Sequence, residues 1–380
     1  MSPTTPATLP PLGRPVHRLA PRPAILATAA LIALVLALTG CTSSVNDTTT
    51  SAVPPSTGAA TTTAPSTDTT GATTTDSGRD VGGPLPALEQ VTGEAVFSAG
   101  YGDGPAQFGY EAGQEAVTVG PRALWVAPDG TLSILDPKHD AVQVVDPAGK
   151  VTRTVTLKAK DPRDIAVALD GTLLVDDTDG TAELQAYGAD GALETSVPST
   201  WDGISSFRLV DDGQTVYAVV AAPDGTLAYV AAYADGALQT LSDGYDAGAV
   251  AHPLSDGWQA AETWTDGLPA LTITGPGGES FTVEPPVESP EDAHVAPIDL
   301  VARTAKGNIL VSAGVGRGEQ LTRLIWLYDS QGRLLRQIET PFEESTADAF
   351  APRIRSTPDG AVYTLVVDAN GLKVLRLPVE

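Results

Sequence analysis

The chain has 380 residues but only one cysteine, Cys41. A disulfide requires two cysteines, so no intramolecular disulfide can stabilise the fold. Stability must therefore come from a buried core. The roughly 300 residues that follow residue 84 are enough to form a core of ordinary size without cross-links.

Basic residues are scarce as well. The sequence has 22 Lys and Arg against 47 Asp and Glu, which gives a net charge of −25. Contacts with nucleic-acid phosphates need Lys and Arg, so the composition argues against nucleic acid as a partner. It favours neutral or cationic partners instead.

The sequence has no apolar run of membrane-spanning length near its start. Residues 24–38 are uncharged, and about 20 apolar residues are needed to cross a bilayer as a helix. Three arginines precede this run, and small residues follow it. This order is typical of a signal peptide over residues 1–40. The alternatives are an uncleaved anchor and a secretory signal with an incidental cysteine.

The segment Leu38-Thr39-Gly40-Cys41 resembles a bacterial lipobox. That resemblance implies a lipoprotein signal peptide that is cut before Cys41, which then carries lipid such as palmitate. Two or more acyl chains give stable anchoring. We therefore expect the protein to be held at the cell membrane, on its extracytoplasmic face.

Residues 41–84 begin with the lipidated cysteine and continue as a segment rich in Thr, Ser, Ala, Pro and Gly. Such a composition lacks the apolar residues needed to offset the entropy of ordering. We predict a disordered tether, and the sequence leaves open whether it is O-glycosylated.

Residues 85–380 repeat one pattern, in which a polar-Gly turn separates two short apolar stretches. The turns are Asp129-Gly130, Asp170-Gly171, Asp212-Gly213, Asp256-Gly257, Lys306-Gly307 and Asp359-Gly360. Asp-Gly between apolar runs is a strong hairpin signal. A second polar-Gly turn follows in most units, so each unit predicts four strands. In the first unit these strands are residues 122–127, 131–136, 141–146 and 150–157.

Six units predict an all-β domain, a six-bladed β-propeller of four-stranded antiparallel blades. The last unit has only three predicted strands, at residues 353–357, 361–368 and 371–377. We expect residues 94–98 to supply the fourth strand and to close the ring. Residues 116–119 are an alternative for that strand, and five or seven blades are alternatives to six.

The first unit also carries a family resemblance. Its residues Gly120-Pro121-Arg122-Ala123-Leu124-Trp125-Val126-Ala127-Pro128-Asp129-Gly130-Thr131-Leu132-Ser133-Ile134-Leu135-Asp136 resemble NHL and gluconolactonase-like six-bladed propellers. The glycine-rich residues 97–108 resemble the link between blades of such repeats, although His139 stands where Asn is usual. The resemblance implies the propeller fold and no single activity.

Few residues indicate chemistry. Asp176, Asp177 and Asp179 follow a predicted strand of the second unit, and their carboxylates could bind Ca²⁺. The alternative is an acidic hairpin turn, and apart from Ca²⁺ we expect no cofactor. Trp201 stands between the second and third units, where it could stack on a sugar or on a partner's side chain. The remaining tryptophans are expected to pack between blades.

No catalytic set emerges from the sequence. His139, His252 and His294 lack metal-ligand spacing, and no Gly-x-Ser-x-Gly elbow is present. We predict a monomeric, non-catalytic binding or scaffold module for an extracellular protein, peptide or glycan. The alternative is a lactonase-like or other hydrolase with a metal at the central channel. The family resemblance implies Glu, Asn and Asp there, yet residues 85–380 contain only Asn308 and Asn370.

Overall fold

The structure is a computed structural model. It describes residues 85–104, 106–112, 119–178, 183–198, 200–201, 204–205, 208–212, 214–221, 227–239, 251–265, 268–286, 293–317, 320–340 and 353–380. These residues form the predicted all-β ring of six four-stranded antiparallel blades. Cys41 and the tether lie outside the described residues. Within the described part of the chain, no helix has the length and apolarity to cross a membrane.

The first three blades follow one another along the chain, and the strands of each pair in chain order. Blade one contains β3 (Leu124–Val126), β4 (Leu132–Asp136), β5 (Ala141–Val145) and β6 (Val151–Thr156). Blade two contains β7 (Pro162–Val167), β8 (Leu173–Asp177), β9 (Glu183–Tyr187) and β10 (Leu193–Pro198). A small hairpin of β11 (Thr200–Trp201) and β12 (Ile204–Ser205) follows. Blade three contains β13 (Arg208–Asp211), β14 (Val216–Ala221), β15 (Leu227–Ala234) and β16 (Ala237–Leu238).

The last three blades continue the same order. Blade four contains β17 (His252–Pro253), β18 (Gln259–Thr265), β19 (Leu268–Thr274) and β20 (Ser280–Val283). Blade five contains β21 (Ala293–Arg303), β22 (Ile309–Arg317), β23 (Gln320–Tyr328) and β24 (Leu334–Glu339). Blade six contains β25 (Ile354–Ser356), β26 (Val362–Asp368) and β27 (Gly371–Leu377). The described helical residues form two short 3₁₀ turns, Pro137–His139 and Ser255–Gly257.

The hairpin turns lie where the glycines predict them. Gly130 has φ 86°, and its N–H donates to the carbonyl of Ala127, which closes the turn between β3 and β4. The other described turn glycines of the repeat also have positive φ, a conformation that L side chains rarely adopt. Gly213 lies outside the described residues. The spacing of the turn glycines in the sequence therefore predicted the length of the blade repeat correctly.

Apolar side chains fill the space between neighbouring blades. In β4 all five residues are buried, because another blade covers each face of the sheet. Trp125 belongs to the apolar cluster that spans blades one to three, and the fully buried Trp326 belongs to the cluster between blades four and five. Both tryptophans thus pack between blades, as predicted.

The N-terminal part of the ring closes it, as predicted. Strand β2 (Glu94–Ala99) pairs antiparallel with β27 and becomes the fourth strand of blade six. The side chain of Phe97 is buried in the cluster between blades six and one. Of the alternative strand, residues 116–118 lie outside the described residues. Val119 forms only an isolated bridge with Glu111.

A further strand was not predicted. β1 (Leu88–Gln90) pairs in parallel with β24 and adds a fifth strand to the outer edge of blade five. Glu89 accepts two hydrogen bonds from Arg336, at 2.7 Å from Nη2 and 3.0 Å from Nε. This ion pair lowers the pKa of Glu89 through the hydrogen bond to Arg336.

Candidate functional site

The first strands of the blades meet at the centre of the ring. Contacts join β25 to β3, β3 to β7, β7 to β13 and β21 to β25. Between them lies a narrow pocket, which is lined by Trp125, Asp211, His252, Val301, Arg355 and Ser356 among others. It encloses about 50 Å³ of free space. That is room for one or two waters, whereas ligand pockets hold about 300–1,000 Å³.

A buried ion pair occupies the centre of this region. Arg355 of blade six extends its guanidinium to Asp164 of blade two, with Nη2 at 2.7 Å from Oδ1 and 2.9 Å from Oδ2. Its Nε donates to the carbonyl of Leu124 in blade one at 2.9 Å. Both side chains are almost completely buried. One guanidinium therefore connects three blades.

Asp164 also connects blade two to blade three. Its carboxylate accepts hydrogen bonds from the N–H groups of Leu209 and Ile165, both at 2.7 Å. Burial raises the pKa of Asp164, while Arg355 and these two N–H groups favour the charged form. Both carboxylate oxygens of Asp164, and Nε and Nη2 of Arg355, are thus engaged within the pair and with the backbone of the blades, while Arg355 also lines the pocket.

Aromatic rings complete the pocket wall. The Arg355 guanidinium lies 5.6 Å from the centroid of the Trp125 ring, which is a cation–π distance. The His252 ring packs edge-on against Tyr229, with centroids 4.7 Å apart. Within the described ranges, no group of three or more His, Cys, Asp or Glu residues is placed to hold a metal.

Three of these central residues share one position in the sequence repeat, which inspection of the loops alone does not reveal. Trp125, His252 and Arg355 each stand five residues before the turn glycine of their blade, namely Gly130, Gly257 and Gly360. Alignment of the repeats on that glycine would have shown that this position carries large polar or aromatic side chains in four of the six units, since Arg208 stands five residues before Gly213. The alignment would not have identified the partner of Arg355, because Asp164 is 191 residues away along the chain.

The predicted calcium ligands are only partly described. Asp176 and Asp177 end strand β8, and both are buried. The carboxylate of Asp177 accepts hydrogen bonds from the N–H groups of Lys160 at 3.0 Å and Asp161 at 2.9 Å. It therefore fixes the loop that enters β7. Asp179 lies outside the described residues, so calcium binding by this trio stays a prediction.

Trp201 lies in the short hairpin of β11 and β12, where it pairs with Ile204. Its side chain lies outside the described atoms. The predicted role of Trp201 in stacking on a ligand therefore stays a prediction.

Comparison with known proteins finds similarity to solved structures at low sequence identity. No family model and no curated protein matches the sequence. A virginiamycin B lyase from Staphylococcus aureus is 10% identical over 68% of this chain and 95% of its own, with a TM-score of 0.38. Regucalcin from Agrobacterium tumefaciens, described as a calcium-binding protein, is 14% identical over 75% and 97%, with a TM-score of 0.42. The WD40 repeats of RRP9 are 14% identical over 70% and 96%, with a TM-score of 0.39. At these identities the likeness concerns the propeller fold alone.

Proposed function

We propose that the protein is an extracytoplasmic lipoprotein whose propeller is a non-catalytic binding or scaffold module for an extracellular protein, peptide or glycan. The observation that carries the non-catalytic part is the Arg355–Asp164 pair. It joins blades across the ring centre, where hydrolytic propellers would need open space and free carboxylates. The narrow pocket beside it supports the same proposal, since it holds no more than one or two waters.

The anchoring part rests on Cys41 and the segment before it. Cys41→Ala should move the protein from the membrane fraction to the soluble fraction, or leave an unprocessed precursor. Fractionation and labelling with a palmitate analogue measure both outcomes. Ser43→Ala is the matched control, because it changes a small residue two positions away and should leave labelling intact. Unchanged partition and processing in Cys41→Ala would overturn the lipoprotein proposal.

The binding part is tested by pull-down of the detergent-solubilised protein, followed by mass spectrometry. A partner should be recovered with the wild type and lost with Trp201→Ala. Leu169→Ala is the control, because that side chain is 80% exposed on the first hairpin turn of blade two and has no proposed role. Recovery of no partner, together with stabilisation of the protein by Ca²⁺, would favour the metal-dependent hydrolase instead.

A further inference from the structure

The segment from Gly100 to residue 112 crosses the seam where blade six meets blade one. On one side, the hydroxyl of Tyr101 lies 2.7 Å from the carbonyl of Asp368 and 2.8 Å from that of Gly371, both in blade six. On the other side, the ring of Phe108 is fully buried in the cluster shared by the two blades. We call residues 100–104 and 106–112 the seam loop. It is fixed to both blades that it joins.

A buried carboxylate of blade one holds the seam loop. Asp136, at the end of β4, has no exposed surface. It accepts hydrogen bonds from the N–H of Gly109, at 3.2 and 3.1 Å, and from Nε2 of Gln143 at 3.2 Å. The same Gln143 amide donates to the carbonyl of Gln107 at 2.7 Å. The inner part of the loop is thus fixed by contacts that do not involve His139.

His139 connects this carboxylate to the outer part of the loop. Its Nδ1 lies 2.8 Å from Oδ2 of Asp136, and its Nε2 lies 3.4 Å from Oδ1 of Asp103. Carboxylates only accept, and only the imidazolium can donate from both ring nitrogens. In the neutral ring, the hydrogen bond to Asp136 keeps the single proton on Nδ1 of His139. The lone pair of Nε2 then faces Asp103. Protonation therefore decides whether His139 attracts or repels Asp103.

The other charged groups around His139 do not replace this contact. Lys138, on the same 3₁₀ turn, forms an ion pair with Glu111 of the seam loop, and Asp140 follows on the turn. Partial burial disfavours the imidazolium, but Asp136 and Asp103 outweigh it and raise the pKa of His139. Ala106 in the loop has φ 63°, which is unfavourable for a residue with a Cβ. Backbone hydrogen bonds hold Gly100 and Gly102 to Phe108, at 3.2 and 3.0 Å, so within residues 100–104 the Asp103 end has the fewest other contacts.

We propose that His139 is a proton-operated latch on the ring seam. The imidazolium bridges Asp136 and Asp103 and holds the Asp103 end of the seam loop against blade one. Deprotonation breaks the contact with Asp103 and loosens residues 103 and 104, while Tyr101 stays bound to blade six and Asp136 continues to hold Gly109.

The direction of the pH response follows from the raised pKa of His139 in the folded protein. The stabilisation is complete below the unfolded value of about 6.5 and is lost as the pH rises through the folded value. The Asp103 contact should therefore be complete below about pH 6.5 and be lost as the pH rises through the raised folded value.

The test uses the full-length chain in detergent, with histidines labelled at ¹³Cε1, and follows their titration by NMR. His139 should titrate above pH 6.5, the ordinary value for histidine. Asp103→Asn should move that titration to lower pH and leave His252 unchanged. The Asp103 side chain is fully exposed, so this variant should fold. Asp235→Asn is the control for loss of one charge, because Asn tolerates the left-handed φ of 53° at that exposed turn.

Hydrogen exchange provides the structural readout. After correction for the intrinsic rate, exchange of residues 103 and 104 should accelerate several-fold as the pH rises through the His139 titration, whereas Gly102, which donates to the carbonyl of Phe108, should stay protected. In His139→Gln the exchange of residues 103 and 104 should be fast and independent of pH, because the glutamine amide cannot change its charge. A His139 titration at or below pH 6.5, no effect of Asp103→Asn, or loop exchange that does not follow the titration would each overturn the latch.

Discussion

Arg355 connects three blades through a single guanidinium group. It begins in blade six, pairs with Asp164 of blade two and donates to the carbonyl of Leu124 in blade one. A buried ion pair adds little net stability compared with apolar packing of the same volume. Loss of one partner is costly, however, because the other charge then stays buried without compensation. The importance of Arg355 should therefore depend on whether Asp164 is present.

Arg355→Met should lower the free energy of unfolding by about 3–5 kcal/mol, because Asp164 would lose its cation inside the ring. The double variant Arg355→Met with Asp164→Leu should recover only part of that loss, because the N–H groups of Leu209 and Ile165 would lose their acceptor. Urea unfolding followed by tryptophan fluorescence measures both. Arg333→Met is the control, since its pair with Asp329 is exposed and should contribute about 1 kcal/mol or less. A single variant as stable as this control would contradict the role of the pair.

At the scale of the strand, local chemistry explains which elements were predictable. The turn glycines need positive φ, so the period of the blades could be predicted from residues such as Gly130 and Gly360. Strand β2 could be predicted because the sixth repeat lacks a strand. Strand β1 could not be predicted, because it has only three residues and its Leu88 stays exposed. No alternation of apolar residues therefore marks it in the sequence.

The site was less predictable than the fold for a related reason. A hairpin forms between neighbours in sequence, whereas Arg355 and Asp164 meet only after the intervening blades have closed the ring. The contact between His139 and Asp103 likewise joins blade one to the loop that crosses the seam. Nothing in the local pattern of either residue identifies its partner.

The two N-terminal strands should differ in importance. Deletion of residues 1–91 removes β1 and the partly exposed Arg336–Glu89 pair, which should contribute little to stability. Deletion of residues 1–99 also removes β2, with the buried Phe97 and the antiparallel pairing that completes blade six. Burial of one such side chain is worth about 1.5–3 kcal/mol, and the exposed edge of β27 adds a further cost.

We therefore expect cooperative thermal unfolding from a chain that begins at residue 92, close in midpoint to the full-length protein. A chain that begins at residue 100 should lose cooperative unfolding and near-ultraviolet circular dichroism. Phe97→Ala in the full-length chain is the intermediate case, because it keeps the backbone pairing and removes the side chain. Cooperative unfolding of the shorter chain would show that β2 does not close the ring.

At the scale of the whole molecule, the dominant property is charge. With 47 acidic and 22 basic residues, many carboxylates have no cation available to them. Their mutual repulsion destabilises the compact state. The exposed ion pairs, such as Arg303–Asp256 and Arg333–Asp329, oppose this effect but contribute at most about 1 kcal/mol each. Salt screens both the repulsion between carboxylates and the attraction within the exposed ion pairs. The change in stability on adding salt therefore shows which of the two is larger.

Repulsion should dominate, and the urea midpoint should rise when NaCl is increased from about 0.01 M to about 0.3 M, where the screening length falls below about 10 Å. The Arg355–Asp164 pair is buried and should be little affected, so Arg355→Met should show a rise of the same size. A fall in the midpoint would mean that the exposed ion pairs outweigh the repulsion. CaCl₂ at equal ionic strength provides the last comparison. A rise larger than that with NaCl would indicate bound Ca²⁺, the cation predicted for Asp176, Asp177 and Asp179.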